Sequence, residues 1–174
     1  AGVAMTAGSP GRLVVLVDGG SGAGKTTFAH ALRLALEDIR GHSVQLLSLD
    51  DCYPGWDGLA EGSRMVVDDV LRPGDPGWWG WDWESGERTH WHPLDPDADL
   101  VVEGCGALTH ESALLASFSI WLTLDADARR RRAIARDGDA YAPHWDRWAS
   151  QEADHWDRNR PWDLADFVVD LNDE

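Results

Sequence analysis

The sequence predicts an α/β fold, a three-layer α/β/α sandwich around a five-stranded parallel sheet. Three observations lead there. Leu13-Val14-Val15-Leu16-Val17 is a continuous apolar, β-branched run closed by glycines, the pattern of a strand buried on both faces. Residues 25–39 follow with helical periodicity, setting Phe28, Leu32, Ala35, Leu36 and Ile39 near one face, with Gly41 as the stop. Strands and helical stretches then keep alternating, which calls for right-handed crossovers and a sheet covered on both sides.

Residues 43–49 read as the second strand, 100–103 as the third, 119–124 as the fourth and 167–171 as a short fifth. The segment 52–98 breaks the alternation. It holds one short helix near 62–71 and is otherwise rich in Gly, Pro, Asp and Trp, too long for an idle connection. Tryptophans at 56, 78, 79, 81, 83 and 91 are a poor composition for disorder, so the segment reads as a substrate-recognition insert. A helix over 143–158 would carry Trp145, Trp148 and Trp156 along one side with Glu152 between two of them, and packing is the default reading of those rings.

A chain of 174 residues fits one domain over 11–174 behind a flexible leader at 1–10. That leader lacks the basic start and apolar stretch of a signal peptide. Lys plus Arg total 15 against 31 Asp plus Glu, and the resulting charge of −16 repels nucleic acid and anionic membrane surfaces. The expected partner is therefore a small-molecule acceptor, bound by a monomer or homodimer. Cys52 and Cys105 belong to no CxxC pair, which argues against a zinc site or disulfide framework and suits a reducing cytoplasm. His90 and His92 lack further metal partners nearby and read as structural.

Gly19-Gly20-Ser21-Gly22-Ala23-Gly24-Lys25-Thr26 fits G-x-x-x-x-G-K-[ST] at the handover from strand to helix. Glycines let successive amides turn onto phosphate oxygens while the helix aims its positive end at the same anion. ATP would contact Gly20, Ser21, Gly22, Ala23, Gly24, Lys25, Thr26 and the following Thr27. Lys25 would neutralise β and γ phosphates, and the Thr26 hydroxyl would reach Mg²⁺. Strand before and helix after make an accidental match of this pattern the weaker reading.

Ligands of an open parallel sheet gather beyond the carboxyl ends of its strands. Asp50 stands at such an end, placed to take a proton from an acceptor hydroxyl and to lie beside the metal. Its neighbour Asp51 reads as turn chemistry. Glu103 closes the third strand and suits a contact to substrate or to the metal's outer sphere. Asp18 is read as a strand-end residue outside the site. Arg129-Arg130-Arg131-Arg132 with Arg136 gathers a third of the chain's Lys and Arg on one helix, and Arg129, Arg132 and Arg136 share a face by spacing. That stripe suits a lid over 126–142 that clamps triphosphate oxygens through Arg129 and stabilises the transferring group through Arg132 and Arg136.

Across most of its length the chain resembles the uridine kinase-like branch of the P-loop nucleoside and nucleotide kinases. Val17 to Thr26 looks like that family's phosphate loop, and Leu47-Ser48-Leu49-Asp50-Asp51-Cys52-Tyr53 is similar to its second-strand motif, whose catalytic Asp falls on Asp50 and whose Tyr falls on Tyr53. Asp82, in Trp81-Asp82-Trp83, looks like the acidic residue that holds ribose hydroxyls there. Val101-Val102-Glu103-Gly104 is similar to the third-strand motif, and Asp125-Ala126-Asp127-Ala128-Arg129 through Arg136-Asp137 resembles the start of the lid. Cys52 stands where the family commonly has Phe, and the residues around Asp82 depart from the usual base-recognition segment. The resemblance implies transfer of the γ-phosphoryl group of ATP, with Mg²⁺, to a hydroxyl of a nucleoside-like acceptor. A sugar, a vitamin precursor or a nucleoside monophosphate are alternative acceptors, and a nucleotide-binding regulator is the alternative outside kinase chemistry.

Overall fold

A computed structural model describes residues 11–172; the expected leader at 1–10 lies outside them. The chain enters through strand β1 (Val14–Gly19), buried along its whole length. Helix α1 (Lys25–Arg40) follows and ends at Gly41, whose left-handed backbone (φ 74°) lets its N–H reach the Glu37 carbonyl at 2.9 Å. Strand β2 (Gln45–Ser48) runs into a 3₁₀ turn over Leu49–Asp51. Helix α2 (Leu59–Met65) then loosens into a π turn, Val66–Val70, so the predicted helix near 62–71 lies slightly earlier than its sequence pattern suggests.

An antiparallel hairpin comes next, β3 (Gly77–Asp82) and β4 (Glu87–Pro93), paired with Trp78 opposite His92 and Trp79 opposite Trp91. The sequence reading of one helix in the insert therefore missed two strands. Trp78, Trp79 and Trp81 hide the alternation, and the register slips between Trp79 and Trp81, so no clean period of two survives. Ring contacts hold the ribbon: Trp78 stacks on His92 at 3.9 Å, and Arg88 lies over Trp79 at 5.5 Å.

Strand β5 (Leu100–Glu103) is followed by α3 (His110–Leu115), β6 (Phe118–Thr123), α4 (Ala126–Asp137), α5 (Trp145–Asn159), α6 (Pro161–Leu164) and β7 (Phe167–Asp170). The main sheet has the order β2-β5-β1-β6-β7 with every pairing parallel, as the alternation predicts. Successive residues of β1 point to opposite faces: Val15 and Val17 join Ala29, Val101 and Leu122 under α1, whereas Leu16 joins Leu47, Val102, Tyr53 and Trp148 on the other side. Of the apolar face assigned to α1, Ile39 is 78% exposed. A 16-residue helix is roughly 24 Å long against roughly 20 Å for the six residues of β1, so its last turn overhangs the sheet. Among the described residues no helix is long and apolar enough to cross a membrane.

Candidate active site

The phosphate loop occupies residues 19–26, between β1 and α1. Gly22 (φ 80°) and Gly24 (φ 93°) adopt left-handed backbone that other residues enter only with strain. Helix α4 adds a second reason for glycine. A Cβ on Gly20 would lie 2.3 Å from the Arg129 guanidinium, and one on Gly22 would lie 2.1 Å from the Arg129 carbonyl oxygen. The loop is thus a cradle that side chains would fill, with α4 packed against its back.

Beyond the carboxyl ends of β1, β2 and β5 opens a cavity of about 710 Å³. Ser21, Gly22, Gly24, Lys25, Thr26 and Thr27 of the glycine-rich loop and its helix line it, and Asp50, Tyr53, Glu103 and Arg136 face it as well. These ten residues, all named from the sequence, line one cavity. Lys25 is buried, and its ammonium donates to the Gly20 carbonyl at 3.0 Å. Burial alone would lower its pKa, but the acidic groups around it, Cys105, Glu103, Glu152 and Asp18, outweigh that and raise it to about 12. Burial pushes the Cys105 thiol up, leaving it neutral near pH 7, so the carboxylates carry the effect there.

The Thr26 hydroxyl donates to Glu103 Oε1 at 3.0 Å, which joins the end of β5 to the first turn of α1. Asp50 sits in the 3₁₀ turn after β2, open to solvent on the cavity side and walled by protein elsewhere. Desolvation, and then the charge of Glu103, push its carboxyl above the usual range, partly offset by Lys25 and Arg136. A carboxylate with raised basicity is suited to proton acceptance. Among the described residues no three His, Cys, Asp or Glu side chains converge as a self-sufficient metal site. The hydroxyl of Thr26 and the nearby carboxylates fit a hard cation that brings phosphate oxygens as its other ligands, which is how Mg²⁺ is usually held.

The other predicted residues lie elsewhere. Ala23 and Gly20 are buried within the loop and do not line the cavity. Asp82 accepts from the Glu84 amide at 2.9 Å and the Ser85 amide at 3.4 Å, so it caps the hairpin turn and does not face the cavity. The shared arginine face also divides. Arg136 faces the cavity beside Asp137, to which its Nη2 donates at 2.8 Å, and Arg132 reaches over Gly24 from outside. Arg129 is buried behind the loop, where it donates to the carbonyls of Leu124 and Ser21 and pairs with Glu152. Its spacing matches the stripe, but its helix turn is the one pressed against the loop.

No protein-family model matches the chain, and no curated protein matches it. Solved structures do. One described as a possible uridine kinase from Bacillus stearothermophilus superposes with a TM-score of 0.64 at 22% identity, over 95% of this chain and 91% of that one. A putative fructose transport system kinase from Silicibacter sp. TM1040 gives 0.59 at 16% identity, over 92% and 91%. The chain has a P-loop kinase fold.

Within that P-loop kinase fold, the residues that sequence reasoning missed are mostly aromatic. Trp56, Trp83, Tyr141 and Trp148 line the same cavity. Trp56 is their hub, stacked on His144 at 4.4 Å and meeting Trp83 at 4.9 Å and Tyr141 at 5.2 Å. Trp83 comes from the hairpin turn and donates its indole N–H to the Asp50 carbonyl at 2.7 Å. Nothing in the local pattern announces that contact, because it joins residues 33 apart. Asp18, fully buried, accepts from the amides of Gly19, Gly106 and Leu108 and contacts His155 Nε2 at 3.1 Å. It braces the end of β1 from below and stays out of the cavity, as its sequence reading has it. Glu152 left one signal in the sequence, a carboxylate set among tryptophans on a helix face.

Proposed function

We propose that the chain is an ATP- and Mg²⁺-dependent kinase that transfers the γ-phosphoryl group to a hydroxyl of a flat, nucleoside-like small molecule. The observation that carries this is the convergence, in one cavity, of an open phosphate loop, a carboxyl of raised basicity and an aromatic wall. In this reading Lys25, Thr26 and the loop amides hold the triphosphate, and Arg136 faces the charge that develops on the transferring group. Asp50 takes the proton from the acceptor hydroxyl as its oxygen bonds to the γ phosphorus and the bond to the β–γ bridging oxygen breaks, releasing ADP. Mg²⁺, held at Thr26 with Asp50 and Glu103 nearby, would neutralise phosphate charge and orient the chain of phosphates.

The wall favours a flat acceptor over a polyol. Tyr53 donates its hydroxyl to the Cys105 carbonyl at 2.7 Å, Tyr141 donates to Ser21 Oγ at 2.8 Å, and the Trp83 indole is committed to Asp50. The wall is therefore mostly aromatic carbon, with few free donors for a sugar's hydroxyls. Asp82 at the hairpin turn leaves ribose hydroxyls without the acidic partner that the resemblance implied, so ring and reacting hydroxyl carry recognition. Incubating purified protein with Mg-ATP and a panel of nucleosides, vitamin precursors, nucleoside monophosphates and free sugars, read by product mass, tests the proposal. Phosphorylated nucleoside-like or heteroaromatic alcohols are expected. Nucleotide uptake with no acceptor-dependent ADP across the panel would favour a binding regulator instead.

A further inference from the structure

One residue of the phosphate loop is held at three atoms by parts of the chain more than 100 positions away. The Ser21 amide donates to Glu152 Oε1 at 2.7 Å, its carbonyl accepts from Arg129 Nη1 at 3.3 Å, and its hydroxyl accepts from Tyr141 at 2.8 Å. Arg129 comes from the first turns of α4, Tyr141 from the link after it, and Glu152 from the middle of α5. Glu152 is 2% exposed and also takes the Arg129 guanidinium at 3.5 Å and the Cys105 thiol at 3.4 Å.

A buried carboxylate beside a loop built to receive an anion needs a reason, since it would repel phosphate unless neutralised. Arg129 supplies the neutralising charge, and the pair has a use that neither member has alone. It grips the Ser21 peptide from its N–H and C=O sides, while the same arginine occupies the space where Gly20 and Gly22 would carry side chains. A glycine-rich turn has many conformations open to it, and ordering it only when phosphate arrives would weaken binding. Fixing its first turn in advance removes that ordering cost from phosphate binding.

We propose that Glu152 is a positioning residue of the phosphate cradle: with Arg129 and Tyr141 it fixes the Ser21 peptide and so keeps the loop in its polyphosphate-accepting shape. This rests on the reading of the loop as a nucleotide site. Because Tyr141 also belongs to the aromatic wall, the clamp ties that wall to the loop as well.

Calorimetry with Mg-ATP on the full chain tests it, with adenosine as the phosphate-free comparison and a thermal melt on each variant. Glu152→Ala should weaken Mg-ATP about tenfold, the scale of losing a hydrogen bond to a charged group, and leave adenosine unchanged. Glu152→Gln, whose amide oxygen still accepts from Ser21, should recover most of that loss. Should Glu152→Ala fail to fold, Tyr141→Phe decides, expected about threefold weaker for Mg-ATP at an unchanged melting temperature. Parental Mg-ATP affinity in Glu152→Ala, or in Tyr141→Phe where that variant decides, overturns the inference, as does an equal loss for adenosine. A parent protein that takes up no Mg-ATP overturns the reading of the loop itself.

Discussion

In the proposed role of base, Asp50 would serve chemistry at the expense of the fold. Desolvation and then Glu103 raise its carboxyl, so the folded protein binds this proton more tightly than the unfolded chain does. Stability is therefore lost as pH rises from the ordinary carboxylate range through the raised folded value. Asp50→Asn removes that loss, and the variant should melt above the parent near neutral pH, with the difference vanishing below about pH 3, where both states are protonated. The same replacement removes the proton acceptor, so turnover should fall by at least about a hundredfold while Mg-ATP uptake persists. Parental turnover would take the base assignment away, and a melting temperature below the parent's at pH 7 would contradict the desolvation argument.

At the scale of elements, the division between what was legible and what was not follows from how local the cause is. The strands and α1 announce themselves through burial on two faces and through a 3.6-residue period, and the loop's glycines, Lys25 and Thr26 through spacing alone. The hairpin did not, because three tryptophans and a register slip erase the period of two and its contacts reach residues far away in sequence. Its function is equally non-local. Trp83 meets Trp56 at 4.9 Å and bonds to the Asp50 carbonyl, so the turn between β3 and β4 delivers one ring to the cavity, on what we propose is its acceptor side. Trp83→Ala should therefore lower kcat/KM for the acceptor about tenfold, by loss of a stacking face, with the KM for ATP little changed. An effect of equal size on both substrates would mean that the hairpin supports the whole cavity and does not read the acceptor. Arg129 teaches the converse: helical spacing put it on a shared stripe, yet the turn of α4 that carries it packs onto the loop, and packing decides which way an arginine points.

On the scale of the molecule, the five parallel strands place the loop, Asp50 and Glu103 at one edge because β1, β2 and β5 end there together. Lys25 is buried at the floor of the cavity and is held protonated by the carboxylates around it. Everything assigned to Asp50, to the wall and to the clamp presupposes that this floor receives a triphosphate. Titration calorimetry of the parent and of Lys25→Ala with Mg-ATP measures that directly. One saturable site is expected in the parent, weakened at least about tenfold in the variant when both are measured well below their melting temperatures. Equal affinity in the two proteins, or no heat of binding in either, would contradict it.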